Sequence, residues 1–333
     1  MNERPLRVAV LVPCYNEEVA IADTVKGFRE ALPEAIVYVY DNNSKDQTSA
    51  RAREAGAVVR LERLQGKGNV VRRMFSDIEA DVYIMTDGDA TYDPRPARTM
   101  INMVVEQNLD MVVGKRVHTE AEAYRAGHVL GNRLLTGFLA NLFGQRFTDI
   151  LSGYRVFSRR FVKSFPALSA GFETETELTV HALTLNMPIA EVDTPYFSRP
   201  TGSTSKLNTY RDGFRILMMM LGLFKNERPL AFFGIAGALL ALVSIVISIP
   251  VFFTFIETGL VPRFPTAILS ATLMMLAFLS LVCGLVLDTV TRGRREIKRL
   301  SYLQVPAPTA TAEPTPSSVR IPASGRAPAS TSS

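Results

Sequence analysis

Two stretches of this chain, residues 230–256 and 265–287, contain no charged side chain. Each is long enough to cross roughly 30 Å of hydrocarbon as a helix. One such run alone could be a buried core helix; two in succession read as membrane spans. The link between them, "ETGLVPRF", is short, so the spans form a hairpin whose outer ends share one side. Lys225 and Arg228 precede the first span. Arg292, Arg294, Arg295, Lys298 and Arg299 follow the second, whereas Arg263 is the link's one cation. The positive-inside rule then predicts a multi-pass protein of the inner or plasma membrane with its large N-terminal part and both termini in the cytoplasm. Pro250 is expected to kink or end the first span, which lipid-embedded helices tolerate. The N-terminal "MNERPLRVAVLVPCYNEE" meets charge too soon after its apolar run to read as a signal peptide.

The formal net charge of +5 over 333 residues invites a nucleic-acid reading. Its location removes that reading. Residues 291–333 carry seven cations against Glu296 and Glu313, which accounts for the whole surplus and leaves residues 1–290 balanced. The excess therefore reads as a topology signal and a contact with anionic headgroups of membrane lipid, with no nucleic-acid partner. Cys14 and Cys283, far apart, build no disulfide framework. His118, His128 and His181 are too scattered for a four-ligand zinc site and read as structural.

Five regions follow. Residues 1–208 are globular in composition. Residues 209–228 place Tyr210, Phe214, Leu217, Met218, Leu221 and Phe224 at helical spacing between basic borders, which suits a helix lying in the membrane interface; a core helix of the globular domain is the alternative. Residues 229–290 hold the spans, and residues 291–304 form a basic cytoplasmic flank. Residues 305–333, with six prolines and no aromatic side chain, bury too little to offset their ordering entropy and are expected to be disordered.

Within the first region strands and helices alternate. "LRVAVLVP", "AIVYVYD", "AVVRLE", "DVYIMTD" and "DMVVGKR" read as strands, with helices expected over residues 18–31, from about residue 46, over residues 67–75 and near residues 95–106. This order predicts an α/β domain with a mostly parallel, Rossmann-like sheet and helices on both faces. Ligands of such sheets bind at the carboxyl ends of the strands, and the chain gathers its polar residues there. Asp87 and Asp89 follow the apolar "YIM". A lone Asp-x-Asp is weak, but at a buried strand's end two hard carboxylates suit Mg²⁺ or Mn²⁺ on a diphosphate. Asp41 ends the second strand, where it can accept hydrogen bonds from a ribose or base. Asp46 reads equally as a helix N-cap. Lys67, in Gly66-Lys67-Gly68, opens a helix and could meet a phosphate. The segment lacks P-loop spacing, and no Gly-x-Gly-x-x-Gly follows the first strand, which disfavours a dinucleotide-binding domain.

Seven segments stand in order along the chain: "VPCYNEE", "YDNNSKDQT", "GKGNVVR", "DGDATYDP", "TDILSGYRVF", "GFETETELTVHA" and "SRPTGSTSK". Together they resemble the inverting family 2 glycosyltransferases of GT-A fold over residues 6–290. The closer resemblance is to the polyisoprenyl-phosphate glycosyltransferases, the group of dolichol-phosphate mannose synthases and bacterial undecaprenyl-phosphate glucosyltransferases. The resemblance implies that Pro13, Tyr15, Glu17, Asp41 and Lys67 border the base and ribose of a nucleotide sugar, and that Asp87 and Asp89 hold the metal. It implies that Arg116, Arg133 and Arg199 lie near phosphates of donor or lipid acceptor. It places Asp149, Ser152 and Arg155 beside the acceptor, and Ser203, Ser205 and Lys206 in a phosphate-facing loop. Solvated or structural readings stand beside these: Arg133 as a surface helix residue, Arg155 as an ion pair with Asp149, and Glu173, Glu175 and Glu177 as a charged helix start rather than sugar contacts. Thr91 stands where the mannose synthase pattern has Gln, which leaves a third metal contact and the sugar open.

The implied reaction moves a hexose from a UDP- or GDP-sugar to a polyisoprenyl phosphate on the cytoplasmic face, for envelope glycan synthesis; a homo-oligomer and a separate flippase are further implied partners. Asp89, Arg116, Arg133 and Asp149 are the catalytic candidates. Competing readings are a transferase acting on a hydroxyl of a lipid-linked glycan and a non-catalytic nucleotide-binding scaffold. A processive polysaccharide synthase is disfavoured because those enzymes resemble this domain but carry Gln-x-x-Arg-Trp and more spans, and this chain has no Trp.

Overall fold

The computed structural model describes residues 5–118, 136–138, 148–169, 171, 173–200 and 209–307, without side-chain environments for 118 and 209–217. Arg133, Ser203, Ser205, Lys206, His128 and the tail from 308 onward lie outside the described residues.

Seven strands form one sheet: β1 (Val8–Cys14), β2 (Ile36–Asp41), β3 (Val58–Leu61), β4 (Val82–Met85), β5 (Met111–His118), β6 (Arg155–Ser158) and β7 (Ile189–Tyr196), in the order β3-β2-β1-β4-β6-β5-β7. Four pairings are parallel: β1 with β2, β1 with β4, β2 with β3, and β5 with β7. The short β6 runs antiparallel between β4 and β5. The first five strands match the sequence reading. β6 and β7 do not figure in it: β6 has four residues and opens on a charged Arg, and β7 carries two acids and a proline. Both departures weaken the apolar signal by which a buried strand is read.

Alternation along β1 sends Ala9 and Leu11 to one core and Val8, Val10 and Val12 to the other. Both faces are therefore apolar, as a helix-covered sheet requires. α1 (Ile21–Ala31) buries Ile21, Thr24, Val25 and Phe28, one stripe at 3.6-residue period. α2 (Thr48–Glu54), α3 (Lys67–Asp77) and α4 (Ala97–Glu106) complete the βα units, and α5 (Arg159–Ser164) and α6 (Thr174–Leu185) follow β6. Ser158 caps α5 by accepting from the Phe161 amide.

α7 (Thr209–Glu227) packs one side on the domain. Met219, Met220, Leu223 and Phe224 pack on the core, while Met218 and Leu221 face outward and are exposed.

α8 (Pro229–Thr258) and α9 (Phe264–Leu303) are long and apolar enough to cross a membrane, with mean hydropathy 2.7 and 2.3 over their most apolar windows. Each begins with a proline at its first positions, where no amide is lost. α8 continues through Pro250 and ends at Gly259, whose φ of 66° is a left-handed cap. α9 does not stop at the basic flank: its 40 residues make one rod of about 60 Å. The flank's Arg and Lys are good helix formers, and Arg292 pairs with Asp288 one turn back. The hairpin packs through small residues. A Cβ at Gly237 would lie 2.9 Å from the Ala277 carbonyl, and one at Gly284 would lie 3.1 Å from Phe233 Cβ. Ser244 donates to the Ser270 carbonyl at 2.6 Å. The seven-residue spacing of Ser270, Ala277 and Gly284 keeps one seam facing α8.

His181 in α6 is buried against Phe161 and Phe165, with Nε2 3.0 Å from Ser164 Oγ. Burial, assisted by the Lys298 charge, pushes its pKa down to about 3.

Two outcomes follow from this packing. Gly237→Val separates the two backbones and lowers the melting temperature in detergent, with overpacking of about 1–3 kcal/mol. The unfolded chain protonates His181 below about pH 6.5, whereas the folded chain does not until about 3. Stability from this residue is therefore complete above about pH 6.5 and ~2 kcal/mol lower at pH 5. His181→Gln should flatten this acid limb in pH-dependent melts; parallel limbs for both proteins would refute the assignment.

Candidate active site

The carboxyl ends of β1, β2, β4 and β5 lie on one edge of the sheet. Because β6 is reversed, the segment leading into it reaches the same edge.

Loops after β1 and β2 are stitched together. Asn16 donates its amide to Ser44 Oγ and accepts from the Lys45 amide, each at 2.9 Å. The Glu17 amide donates to Thr48 Oγ1 at 2.8 Å. Asp41 accepts from the Ser44 amide at 2.8 Å and from Ser49 Oγ at 2.5 Å. Asp46 accepts from the Thr48 amide at 3.0 Å but stands one position before the N-cap of α2, which is Gln47. Asn42 donates to the carbonyls of Glu62 and Leu64 and accepts from the Gly66 amide at 2.6 Å, so its side chain holds the turn that presents Lys67. These contacts bring Pro13, Tyr15, Glu17, Asp41 and Lys67 to one part of the edge.

Lys67 Nζ lies 2.5 Å from Asp87 Oδ1 and also pairs with Glu175 at the start of α6. Burial opposes the ammonium charge, but the two carboxylates outweigh it and hold Lys67 protonated. Burial likewise pushes the Asp87 carboxyl up, and Lys67 more than reverses this, so Asp87 stays below the usual carboxylate range. Burial, and then the neighbouring Asp87 charge, raise Asp89. Asp89 accepts from Thr91 Oγ1 at 2.6 Å and pairs with Arg199 at 2.7 Å. Arg199 also comes within 3.9 Å of Glu17. Ala90, between this pair of contacts, holds φ at 56°, a left-handed conformation that strains a residue other than glycine.

The donor set fits a hard divalent cation. Asp87 and Asp89 are two carboxylates on one turn, and Gly153 leaves room beside them: a Cβ there would lie 2.4 Å from Asp87 Oδ2. Among the described residues no group of three or more His, Cys, Asp or Glu is arranged to hold a metal, so remaining ligands would come from outside that set. Cys14 Sγ lies beneath Gly88, and burial raises its pKa well above the ordinary value, which keeps it a thiol.

On the other side of β4, Arg116 grips Asp149 through two bonds of 2.7 Å, with its amide 3.2 Å from the same carboxylate. Burial raises the Asp149 carboxyl, and Arg116 reverses that to leave it below the ordinary range. The Arg116 guanidinium also lies 5.6 Å from the Tyr196 ring centroid.

The resemblance implies acceptor contacts for Ser152 and Arg155, but both side chains are fully buried. Ser152 donates to the Gly114 carbonyl at 2.6 Å. Arg155 donates to the carbonyls of Ser152 and Ile150 and to Thr179 Oγ1, and burial lowers its pKa to about 10. Their geometry shapes the 149–153 segment from beneath. The ion pair considered for Arg155 and Asp149 is replaced by the Arg116–Asp149 fork.

Three further residues support the site. Glu191 in β7 accepts from the Thr148 amide at 2.9 Å, the Thr148 hydroxyl at 2.8 Å and the Asp149 amide at 3.1 Å. Tyr92 accepts from the Gly153 amide at 2.9 Å and packs on Tyr154 and Tyr196. Glu177 accepts from the amides of Leu168 and Ser169, fixing a loop whose carbonyl would lie 2.0 Å from a Cβ on Gly68. The "TETEL" acids were the one signal for Glu175 and Glu177; a mid-strand acid such as Glu191 carries none.

The family model described as glycosyl transferase family 2 matches residues 9–165. Glycosyltransferase AglJ of Haloferax volcanii is 37% identical over 235 residues, 70% of this chain and 77% of that protein. Undecaprenyl-phosphate mannosyltransferase of Micrococcus luteus is 26% identical over 216 residues, 60% of this chain and 87% of that protein. Glucosyl-3-phosphoglycerate synthase from Mycobacterium tuberculosis, solved with Mn²⁺, uridine diphosphate and glucosyl-3-phosphoglycerate, has a TM-score of 0.52 at 21% identity, over 66% of this chain and 79% of that one. At that identity the likeness is one of fold.

Gly153→Ala drives a methyl into the Asp87 carboxylate. Mn²⁺ affinity, measured by titration calorimetry on purified protein, should fall about tenfold with the fold retained by circular dichroism.

Proposed function

The chain belongs to glycosyltransferase family 2, and from that premise we propose that it transfers a hexose from a UDP- or GDP-sugar to a polyisoprenyl phosphate at the cytoplasmic face of a membrane. The observation that carries this reading is the division of charge about β4. Carboxylates Asp87 and Asp89 lie centrally, Lys67 on one side, Arg116 and Arg199 on the other, in a chain that also has two helices fit to span a bilayer.

The base and ribose would lie against Pro13, Tyr15, Glu17 and Asp41. Asp87 and Asp89 would hold Mg²⁺ or Mn²⁺. When bound, such an ion neutralises charge on the diphosphate leaving group. Arg199 can exchange its ion pair with Asp89 for a phosphate oxygen, since a guanidinium suits either partner. The reaction is a single displacement at the anomeric carbon. The acceptor oxygen forms the new glycosidic bond from one face while the nucleoside diphosphate departs from the other, inverting the configuration.

The acceptor's chemistry decides what the site must supply. A phosphate monoester has a second pKa of about 6 and is mostly dianionic at neutral pH. It needs no strong general base. Asp149, engaged by both arms of Arg116 and held ionised, orients that guanidinium. The harder task is holding two anionic phosphates together, and Arg116 and Arg199 meet it by screening and by fixed geometry. Basic residues flanking the two apolar helices support a cytoplasmic catalytic domain.

Purified protein with candidate nucleotide sugars, undecaprenyl phosphate and Mn²⁺ should yield a lipid-linked monosaccharide. Asp89→Asn should lower turnover by about two orders of magnitude or more. Nucleotide-sugar binding without lipid-linked sugar from any donor overturns the reading, and transfer to a hydroxyl-bearing lipid-linked glycan alone would replace it.

A further inference from the structure

The cytoplasmic end of α9 touches the globular domain in two places. Near the membrane, α9 closes the C-terminus of α7. Thr291 Oγ1 and Arg294 Nη2 each donate to the Asn226 carbonyl at 3.2 Å, and Arg295 Nη2 donates to the Glu227 carbonyl at 2.6 Å and its carboxylate at 3.0 Å. Thr184 at the end of α6 reaches the same carboxylate at 3.4 Å. These bonds satisfy carbonyls a helix end leaves open and put positive charge at its negative pole.

Farther along, Tyr302 donates to Asp110 Oδ2 at 2.8 Å, a contact across 192 positions of sequence. Asp110 is fully buried and also accepts from Ser158 Oγ at 2.7 Å and from Arg160, whose guanidinium lies 5.0 Å from the Tyr302 ring centroid. Thr291, Arg295 and Tyr302 recur at four and seven residues, so one face of α9 carries both joints. Tyr302 stands about 20 Å along the axis from Asp288.

Asp110 precedes β5, whereas Arg116 lies near that strand's other end, about 20 Å away. The joints are thus at the sheet edge opposite the candidate site and touch no substrate there. One joint would leave a pivot; two, spaced along a continuous rod, fix both tilt and height. We infer that the cytoplasmic extension of α9 is a strut that sets the pose of the catalytic domain over the bilayer, with Arg295 and Tyr302 as positioning residues for a membrane-embedded acceptor. The acceptor part of this inference rests on the lipid-phosphate reading above.

The test uses the full chain in nanodiscs of phosphatidylethanolamine and phosphatidylglycerol. Two acceptors are compared: undecaprenyl phosphate in the disc and a short, water-soluble isoprenyl phosphate. Arg295→Gln combined with Tyr302→Ala should raise the KM for the embedded acceptor about tenfold, while donor KM and turnover with the soluble acceptor stay within about twofold. Arg295→Gln with Tyr302→Phe, which keeps the ring beneath Arg160, should restore part of the loss. Equal loss with both acceptors, or none with either, overturns the inference.

A second readout does not depend on the chemistry. In a Cys283→Ser background, spin labels at Gln107 and Leu260 should give one narrow distance distribution, broadened by Arg295→Gln/Tyr302→Ala. An unchanged distribution overturns the strut. If the unsubstituted protein makes no lipid-linked sugar, the lipid-phosphate reading fails, and the distance measurement still decides whether the strut exists.

Discussion

Lys67 is the contact on which the site's construction turns. Its ammonium joins the start of α3 to Asp87 after β4 and Glu175 at the start of α6, three elements far apart in sequence. Glu175 is buried and Lys67 and Asp87 are half-buried, and charges so far withdrawn from water are most stable in mutual contact. The triad holds Asp87 ionised and ready for a cation, while Asp89 is raised by burial and by Asp87 itself. The asymmetry between two carboxylates on one turn therefore comes from the lysine, not from their own residues.

Much of this arrangement is legible in the sequence. The strands that carry Asp41, Asp87 and Arg116 are apolar runs that end abruptly in polar residues, a local signal. What the chain conceals is reciprocity. Ser152 and Arg155 sit in a segment resembling an acceptor site, yet the fold turns both inward, because carbonyls at 150 and 152 need donors once the loop is buried. Glu191 offers no hint that it holds the segment bearing Asp149, since its partners there are two backbone amides and one hydroxyl. Backbone partners leave no trace in residue type. The continuation of α9 past its apolar stretch is likewise hidden, because charge ends an apolar run without ending a helix.

The two apolar helices obey a different economy from the domain. In a bilayer, lipid would offer hydrocarbon no reason to leave it, so their association would rest on close backbone approach and hydrogen bonds. Gly237, Ser244, Ser270 and Gly284 supply both. The domain instead depends on two apolar cores separated by the sheet, where burial from water is the driving term. α7 follows the domain's rule on one side, packed on the core, and leaves Met218 and Leu221 exposed on the other.

The strand order β3-β2-β1-β4-β6-β5-β7 also lays out a spatial axis. Read across the sheet, it passes from Asp41 and the neighbours of Lys67, through Asp87 and Asp89 at β4, to Arg116 and Asp149 and then the segment bearing Arg199 after β7. A parallel strand offers such an edge only its exit, whereas the reversed β6 offers its entrance, so the 148–154 segment arrives there with no crossover of its own. One change of direction thereby gives the cleft two flanks that can drift apart in sequence: the flank before β4 is built by βα turns, the flank after it by a loop held from beneath. Altered preference on one flank need not disturb the packing of the other.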